Sequence, residues 1–210
     1  MGFVDYILAN PAEFLKLIRQ HLVLVGVAGA FTIAIGLPLG VTLTRPRFQR
    51  VAESVVGVVN IGQSVPSLAV VGLAMGLLGL GFRPAAFALF LYGLLPVVRN
   101  TMTGILEVPA AVIEAARGMG MTAAQVLLRI ELPLAMRVIL AGIRVSLVVN
   151  VGTAALAFLI GGGGLGDLIF TGIALMDTPL VLAGAVPTAI LAVVLDALMG
   201  LVERVAAPAV

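Results

Sequence analysis

Few residues of this 210-residue chain can break or make covalent bonds. Its lack of cysteine leaves no thiolate metal site and no thiol nucleophile, and with a single histidine, His21, no His-based metal site is expected. Gly161, Gly163 and Gly166 satisfy the spacing G-x-G-x-x-G, which turns a chain tightly against a dinucleotide pyrophosphate. That chemistry needs a preceding strand in a parallel sheet. Here a long apolar run precedes the glycines, so they read either as a flexible turn or as a hinge or gate segment. A phosphate-cradling P-loop needs Gly-Lys-Ser/Thr, and the only lysine, Lys16, follows Leu15. No cluster of His, Asp or Glu collects in the pattern of a membrane enzyme's active site. What remains is a charged stretch, 104–137, two ionisable residues inside apolar runs, Arg144 and Asp196, and four polar residues, Gln63, Ser64, Asn150 and Thr153.

The elements that hold these residues follow from composition. Hydrophobic residues make up 61% of the chain and charged residues 10%, with a mean hydropathy of +1.23. Soluble domains run at roughly 45–50% apolar and 25% charged. The chain is therefore expected to be an all-α polytopic membrane protein. The pI of about 9.7 reflects a net charge of only +2 with scattered basic residues, so no nucleic-acid partner is expected.

Charge divides the chain into five expected crossings: 22–44, 54–80, 82–99, 138–160 and 179–201. The first is 23 residues, roughly 34 Å as a helix, enough for a hydrocarbon core of about 30 Å. Pro66 breaks the second, after an approach helix ending near Asn60. The third is short between Arg83 and Arg99, which must reach the interfaces. Leu168–Met176 is too short to cross and is expected to be re-entrant or interfacial. Residues 1–21 form an N-terminal segment, with 11–20 expected as a surface-lying helix; 22–210 form the transmembrane domain. Placing 104–137 inside gives the inner loops Arg45, Arg47, Arg50, Arg99, Arg117, Arg129 and Arg137, against Arg83 alone outside. This puts the N-terminus outside and the C-terminus in the cytoplasm, although Lys16 and Arg19 then lie outside against the rule.

Within 104–137, Pro109 suits a first helical turn, and Gly118 and Gly120 suit its left-handed end. Thr122 and Gln125 have the spacing of a capping box, which starts a second helix. Pro133 is expected to stop that helix at Leu132. Two short helices and a glycine elbow result. They read as a surface connector or, given the small and apolar faces of Ala115, Ala116, Val126, Leu127 and Ile130, as a docking site for a partner's groove.

Glu114-Ala115-Ala116, three residues, Gly120, nine residues, Ile130, one residue, Leu132-Pro133 resembles the EAA loop of permeases of binding-protein-dependent ABC importers. The flanking stretches IGQSVPSLA, VRNTMTGILEVPAAVIEAARGMGMT and LAGIRVSLVVNVGTAALAFLIGGGGLGD are similar to the permeases of osmoprotectant importers, which handle glycine betaine, carnitine or choline. Methionine permeases share the loop but fit these flanks less well. The resemblance implies a type I importer permease in the cell membrane, with a second permease copy or a sister subunit, cytoplasmic ABC ATPase subunits and an extracytoplasmic substrate-binding protein. It implies that Glu114, Ala115, Ala116, Gly120, Ile130, Leu132 and Pro133 couple to the ATPase. ATP and Mg would be held by that partner, with no cofactor, metal or catalytic residue in this chain.

Arg144 and Asp196 lie at similar depths on antiparallel crossings and are expected to pair, in a structural more than a transport role; the alternative is that each reaches the interface alone. Gln63, Ser64, Asn150 and Thr153 either line the translocation pathway or bond between helices. Quaternary ammonium groups favour aromatic cages. With no Trp and only Tyr6 and Tyr92, selectivity is expected to rest with the binding protein. A secondary transporter is the rival reading. It calls for inverted repeats and buried acidic carriers, and only Asp196 qualifies.

Overall fold

The computed structural model describes residues 2–48, 51–52, 54–55, 57–58 and 64–206. After a short amphipathic helix, α1 (Phe3–Ala9), Pro11 opens α2 (Pro11–Leu43) at a position where its missing N–H costs nothing. Helix α2 runs 33 residues without a break. The expected surface-lying piece, 11–20, is therefore the first turns of the same helix. Nothing between Pro11 and Leu22 interrupts the helical ladder; the charges of Lys16 and Arg19 mark where the helix leaves an apolar surround, not where it stops.

Pro66, at φ −53° and ψ 135°, precedes α3 (Ser67–Leu78), so the expected proline break is present. Asn60 and the end of the approach helix fall outside the described residues. Helix α4 (Phe82–Leu106) passes the expected end at Arg99 by two turns, because Arg99 stands on an exposed face. Helix α5 (Ala110–Gly118) and helix α6 (Ala123–Val126) flank the elbow. A π turn, Leu127–Glu131, joins α6 directly to α7 (Leu132–Thr153), and a 3₁₀ stretch, Ala154–Ile160, ends that rod. Helix α8 (Gly166–Leu175) is ten residues, roughly 15 Å, and does not reach across a bilayer. Helix α9 (Thr178–Ala206) closes the described chain.

Among the described residues, four helices are long and apolar enough to cross a membrane: Pro11–Leu43, Phe82–Leu106, Ala123–Ile160 and Thr178–Ala206. The expected second crossing is represented by α3, a largely apolar helix of twelve residues; the turn after it meets the end of the α7 rod through Gly81 N–H donating to Ile160 O at 2.7 Å.

Lipid offers helices no hydrophobic drive to associate, so close approach of small residues has to supply the contact. At Gly40 of α2 an added Cβ would stand 2.6 Å from Thr101 Cβ of α4, and at Gly142 of α7 it would stand 2.4 Å from Asn100 Cβ. Helix α4 is thus gripped between α2 and α7. Leu24, Ala28, Ala88, Leu89, Val151 and Ala154 fill one end of the bundle; Val97, Ile105, Ala135, Ile139 and Ile143 fill the other. Helix α9 packs against α7 and α8 mainly through its first third, where Leu180, Ala183, Gly184 and Thr188 are buried.

Candidate functional site

The elbow between α5 and α6 is built on backbone geometry. Gly120 has φ +84°, which L-residues with a Cβ rarely adopt. Around it Met121 N–H donates to Ala116 O at 3.1 Å and Gly120 N–H to Arg117 O at 2.9 Å. These are the paired bonds of a Schellman ending. On the far side, Gln125 N–H donates to Thr122 Oγ1 at 3.3 Å, and Thr122 N–H donates to Gln125 Oε1 at 2.8 Å. Both helix ends at the elbow therefore have backbone partners, and the turn is firm rather than slack.

The motif residues divide by exposure. Glu114, Ala115 and Gly120 are exposed, Ala116 is buried, and Ile130, Leu132 and Pro133 are half-buried. Ala116 and Val126, 1% and 2% exposed, anchor the two arms. The exposed set forms an outward face with Met119 at the tip.

Pro133 does not stop the second helix. It occupies the opening turn of α7, and the π turn before it absorbs the proline. A π turn inserts one residue, and so re-phases the backbone where the ladder would otherwise meet the proline ring and lack its donor. The elbow's second arm and the membrane rod are in consequence one helical body of 38 residues, Ala123–Ile160.

Glu131 sits inside that π turn and is 5% exposed. Its carboxylate accepts two bonds from Arg45, Nη1 to Oε1 at 3.2 Å and Nη2 to Oε2 at 2.5 Å. Arg45 follows α2 and also donates Nε–H to Val41 O at 3.3 Å. A bidentate pair of this kind fixes orientation as well as distance. It ties the end of the first membrane helix to the base of the elbow. Sequence reasoning missed it: the two residues are 86 positions apart. The one signal available was an acidic residue immediately before Leu132-Pro133.

Arg144 and Asp196 are brought together, with Nε to Oδ1 and Nη2 to Oδ2 both at 2.6 Å. Glu203, about two turns further along α9, adds a contact to Arg144 Nη1 at 3.6 Å. This second carboxylate was also not foreseen.

Of the four pathway candidates, the three among the described residues differ in their surroundings. Ser64 is exposed, and Gln63 lies outside the described residues. Thr153 is half-buried and donates to Val149 O of its own helix at 3.0 Å. Asn150 is fully buried, because its side of α7 faces Gly93 of α4, where an added Cβ would lie 2.9 Å from Asn150 Nδ2. Its amide has no hydrogen-bond partner among the described protein groups. Asn150 therefore faces the bundle interior beside α4. Tyr92 spends its hydroxyl on Val65 O at 2.8 Å, fastening the turn before α3.

The glycine run is latched to α2. Gln20 Oε1 accepts from Gly164 N–H and His21 Nδ1 from Leu165 N–H, each at 3.3 Å. With Nδ1 accepting, Nε2 carries the hydrogen and donates to Val151 O at 2.9 Å. No strand precedes the run among the described residues, so its geometry is that of a pinned turn.

Residues 36–206 match the family described as binding-protein-dependent transport system inner membrane component. The chain is 47% identical over 200 residues to the osmoprotectant import permease protein OsmY of Salmonella typhimurium, covering 95% of this chain and 85% of that one. It is 43% identical to the choline transport system permease protein OpuBB of Bacillus subtilis, covering 98% and 94%. It is 42% identical to the glycine betaine/carnitine/choline permease protein OpuCB of the same organism, with the same coverage. Among solved structures it resembles a chain of the MetNI methionine ABC transporter in an inward-facing conformation, with a TM-score of 0.81 and 25% identity over 92% of this chain and 96% of that one.

Proposed function

The chain belongs to the family of inner membrane components of binding-protein-dependent transport systems, and from that premise we propose that it is the permease subunit of an ATP-driven importer of osmoprotectants such as glycine betaine, carnitine or choline. The named relatives support the substrate class, and their coverage extends over nearly the whole of this chain. The observation that carries the mechanism is the unbroken helical body from Ala123 to Ile160. A force applied at the exposed elbow reaches the far end of the membrane rod without a joint to dissipate it.

In this mechanism the exposed face of Glu114, Ala115 and Gly120 seats against a cytoplasmic ABC ATPase. Ala116, Ile130, Leu132 and Pro133 hold that face on the rod. ATP binding and hydrolysis, with Mg, occur in the partner. Displacement of the elbow swings α7, and the Arg45–Glu131 pair makes the end of α2 follow. The Arg144 link to Asp196 and Glu203 makes α9 follow at its elbow-side half. Three membrane helices then move as a set, and access to the pathway alternates between the two faces of the bilayer. The pathway itself forms between this chain and a second copy or a sister permease. Solute is delivered by an extracytoplasmic binding protein, which supplies the selectivity that a chain with two tyrosines and no tryptophan is poorly equipped to provide. Residues 22–210 act as the transmembrane domain, with the N-terminus outside and the C-terminus in the cytoplasm.

The test is reconstitution of the permease with its ATPase and binding protein in proteoliposomes. ATP-dependent uptake of radiolabelled glycine betaine or choline is expected, with no uptake when the ATPase is omitted. Glu114→Lys and Gly120→Asp are expected to abolish uptake while the chain still inserts. Uptake of methionine in place of osmoprotectants would overturn the substrate class, and uptake by the permease alone would overturn the mechanism.

A further inference from the structure

Two adjoining cavities lie between α2 and α4 near the glycine-run end of the bundle. One, about 390 Å³, is lined by Val27, Phe31, Ile35, Phe82, Phe87 and Phe90 among others, with Arg83 the single charged residue. The other, about 480 Å³, is lined by Lys16, Arg19, Gln20, Val23, Phe82 and part of the glycine run. Phe82 belongs to both, so they form one continuous surface. Along α2 that surface follows residues at four-residue spacing, Arg19 and Val23 in one cavity and Val27, Phe31 and Ile35 in the other, a stripe that winds slowly around the helix by about 40° per step. The stripe is cationic at one end and apolar for the rest.

Lys16, Arg19 and Arg83 are exposed, and none of them makes an ion pair among the described residues. Neither cavity is lined by an acidic residue. These cations also stand at the end of the bundle opposite the elbow, where the loops otherwise carry Asp167 and Asp177. Basic residues there do not serve the usual orientation bias, which leaves their clustering at a groove mouth to be accounted for.

We propose that this groove is a binding site for an anionic phospholipid. The phosphate and headgroup sit among Lys16, Arg19 and Arg83, and one acyl chain lies along Val27, Phe31 and Ile35 against Phe87 and Phe90. The dimensions agree. Val23 to Ile35 is thirteen residues, a rise of roughly 18 Å, close to one leaflet of a core about 30 Å thick. An acidic protein surface would satisfy the cations but would leave the apolar length of the groove without a ligand. A second copy of the chain would face three unpaired cations with three more. A lipid of negative headgroup matches both ends at once.

The chain contains no tryptophan, so a single introduced one reports on this groove alone. Phe31→Trp is placed in the full chain and reconstituted in vesicles doped with brominated phosphatidylglycerol or brominated phosphatidylcholine at equal mole fraction. Bromine quenches only lipids in contact. Preferential quenching by the anionic lipid is expected, about fivefold or more in relative association constant, the value of a single cation at a membrane surface. The preference is expected to vanish in Lys16→Gln/Arg19→Gln/Arg83→Gln, whose three positions are exposed and remote from the packed core. Leu182→Trp on α9, outside the groove, should show equal quenching by both lipids and confirms insertion of each variant. Equal quenching of Phe31→Trp by the two lipids overturns the site. So does a preference that survives in the triple variant. No quenching of Phe31→Trp by either lipid, with Leu182→Trp quenched normally, overturns it in favour of a protein surface covering the groove.

Discussion

Glu131 holds a carboxylate at a nearly dry position, and its guanidinium partner keeps part of its hydration: the side chains of Glu131 and Arg45 are 6% and 33% exposed. Removing one partner of a fully buried pair costs about 3–5 kcal/mol. With Arg45 able to turn toward water, Glu131→Ala is expected to lose about 1–3 kcal/mol, read as a lowered midpoint in thermal unfolding of the purified importer. The exchange Arg45→Glu/Glu131→Arg should recover part of that loss, and the ratio of ATP hydrolysed to solute imported should rise in the single variant. At Gly120 the constraint is conformational only, since an added Cβ would meet nothing within 4 Å. Gly120→Ala therefore meets the left-handed penalty of about 1–2 kcal/mol, whereas Gly120→Asn, which tolerates that conformation, should stay near wild type in the same measurement. Sequence spacing was enough to find Gly120 and the Thr122–Gln125 cap, because both are local. Neither Arg45–Glu131 nor the Glu203 contact was legible, because each pairing is created by helices that meet only after folding.

The π turn before Pro133 gives the elbow its stiffness. A proline after a short helix reads as a stop from local rules, and the structure instead keeps the helix going by inserting one residue. Two consequences can be measured. Deleting Leu128, which is exposed, should restore ordinary helical phase and rotate Glu131 by roughly 100° away from Arg45. The expected outcome is a permease that inserts at normal levels, judged by membrane fractionation, with uptake lost. Inserting a Gly-Gly pair after Val126 should likewise uncouple the elbow from α7, leaving ATPase activity of the complex but little import. The same lesson holds for the ends of α2 and α4. Lys16, Arg19 and Arg99 stand on exposed faces, so the helices continue past them. Charge located the limits of the apolar surround, while helix length was decided by where backbone hydrogen bonds stop being available.

For the whole molecule, the proposed five-crossing topology would place Leu8, Leu80 and Met176 on one side of the membrane and Met119 on the other. All four are well exposed, at 73%, 73%, 93% and 76%, and the chain has no cysteine of its own. Single cysteines at 8, 80 and 176 should react with a membrane-impermeant maleimide on intact cells, and a cysteine at 119 only after permeabilisation. If α3 and its approach did not cross, positions 8 and 80 would label from opposite sides. Composition and charge spacing by themselves determined the membrane class, the helical architecture, the polar elbow and the proline break before α3. These are summed or short-range properties, set by the transfer cost of apolar surface and by the conformational limits of glycine and proline. The tertiary structure alone decided that α7 and the elbow are one rod, that Arg45 meets Glu131, and that Asn150 faces the bundle interior. It also decided that three cations gather at the mouth of one apolar groove. Each of these depends on the rotation and register of helices far apart in the chain, and those are fixed by which small residues let two backbones approach, a property of surfaces in contact that no single stretch of sequence contains.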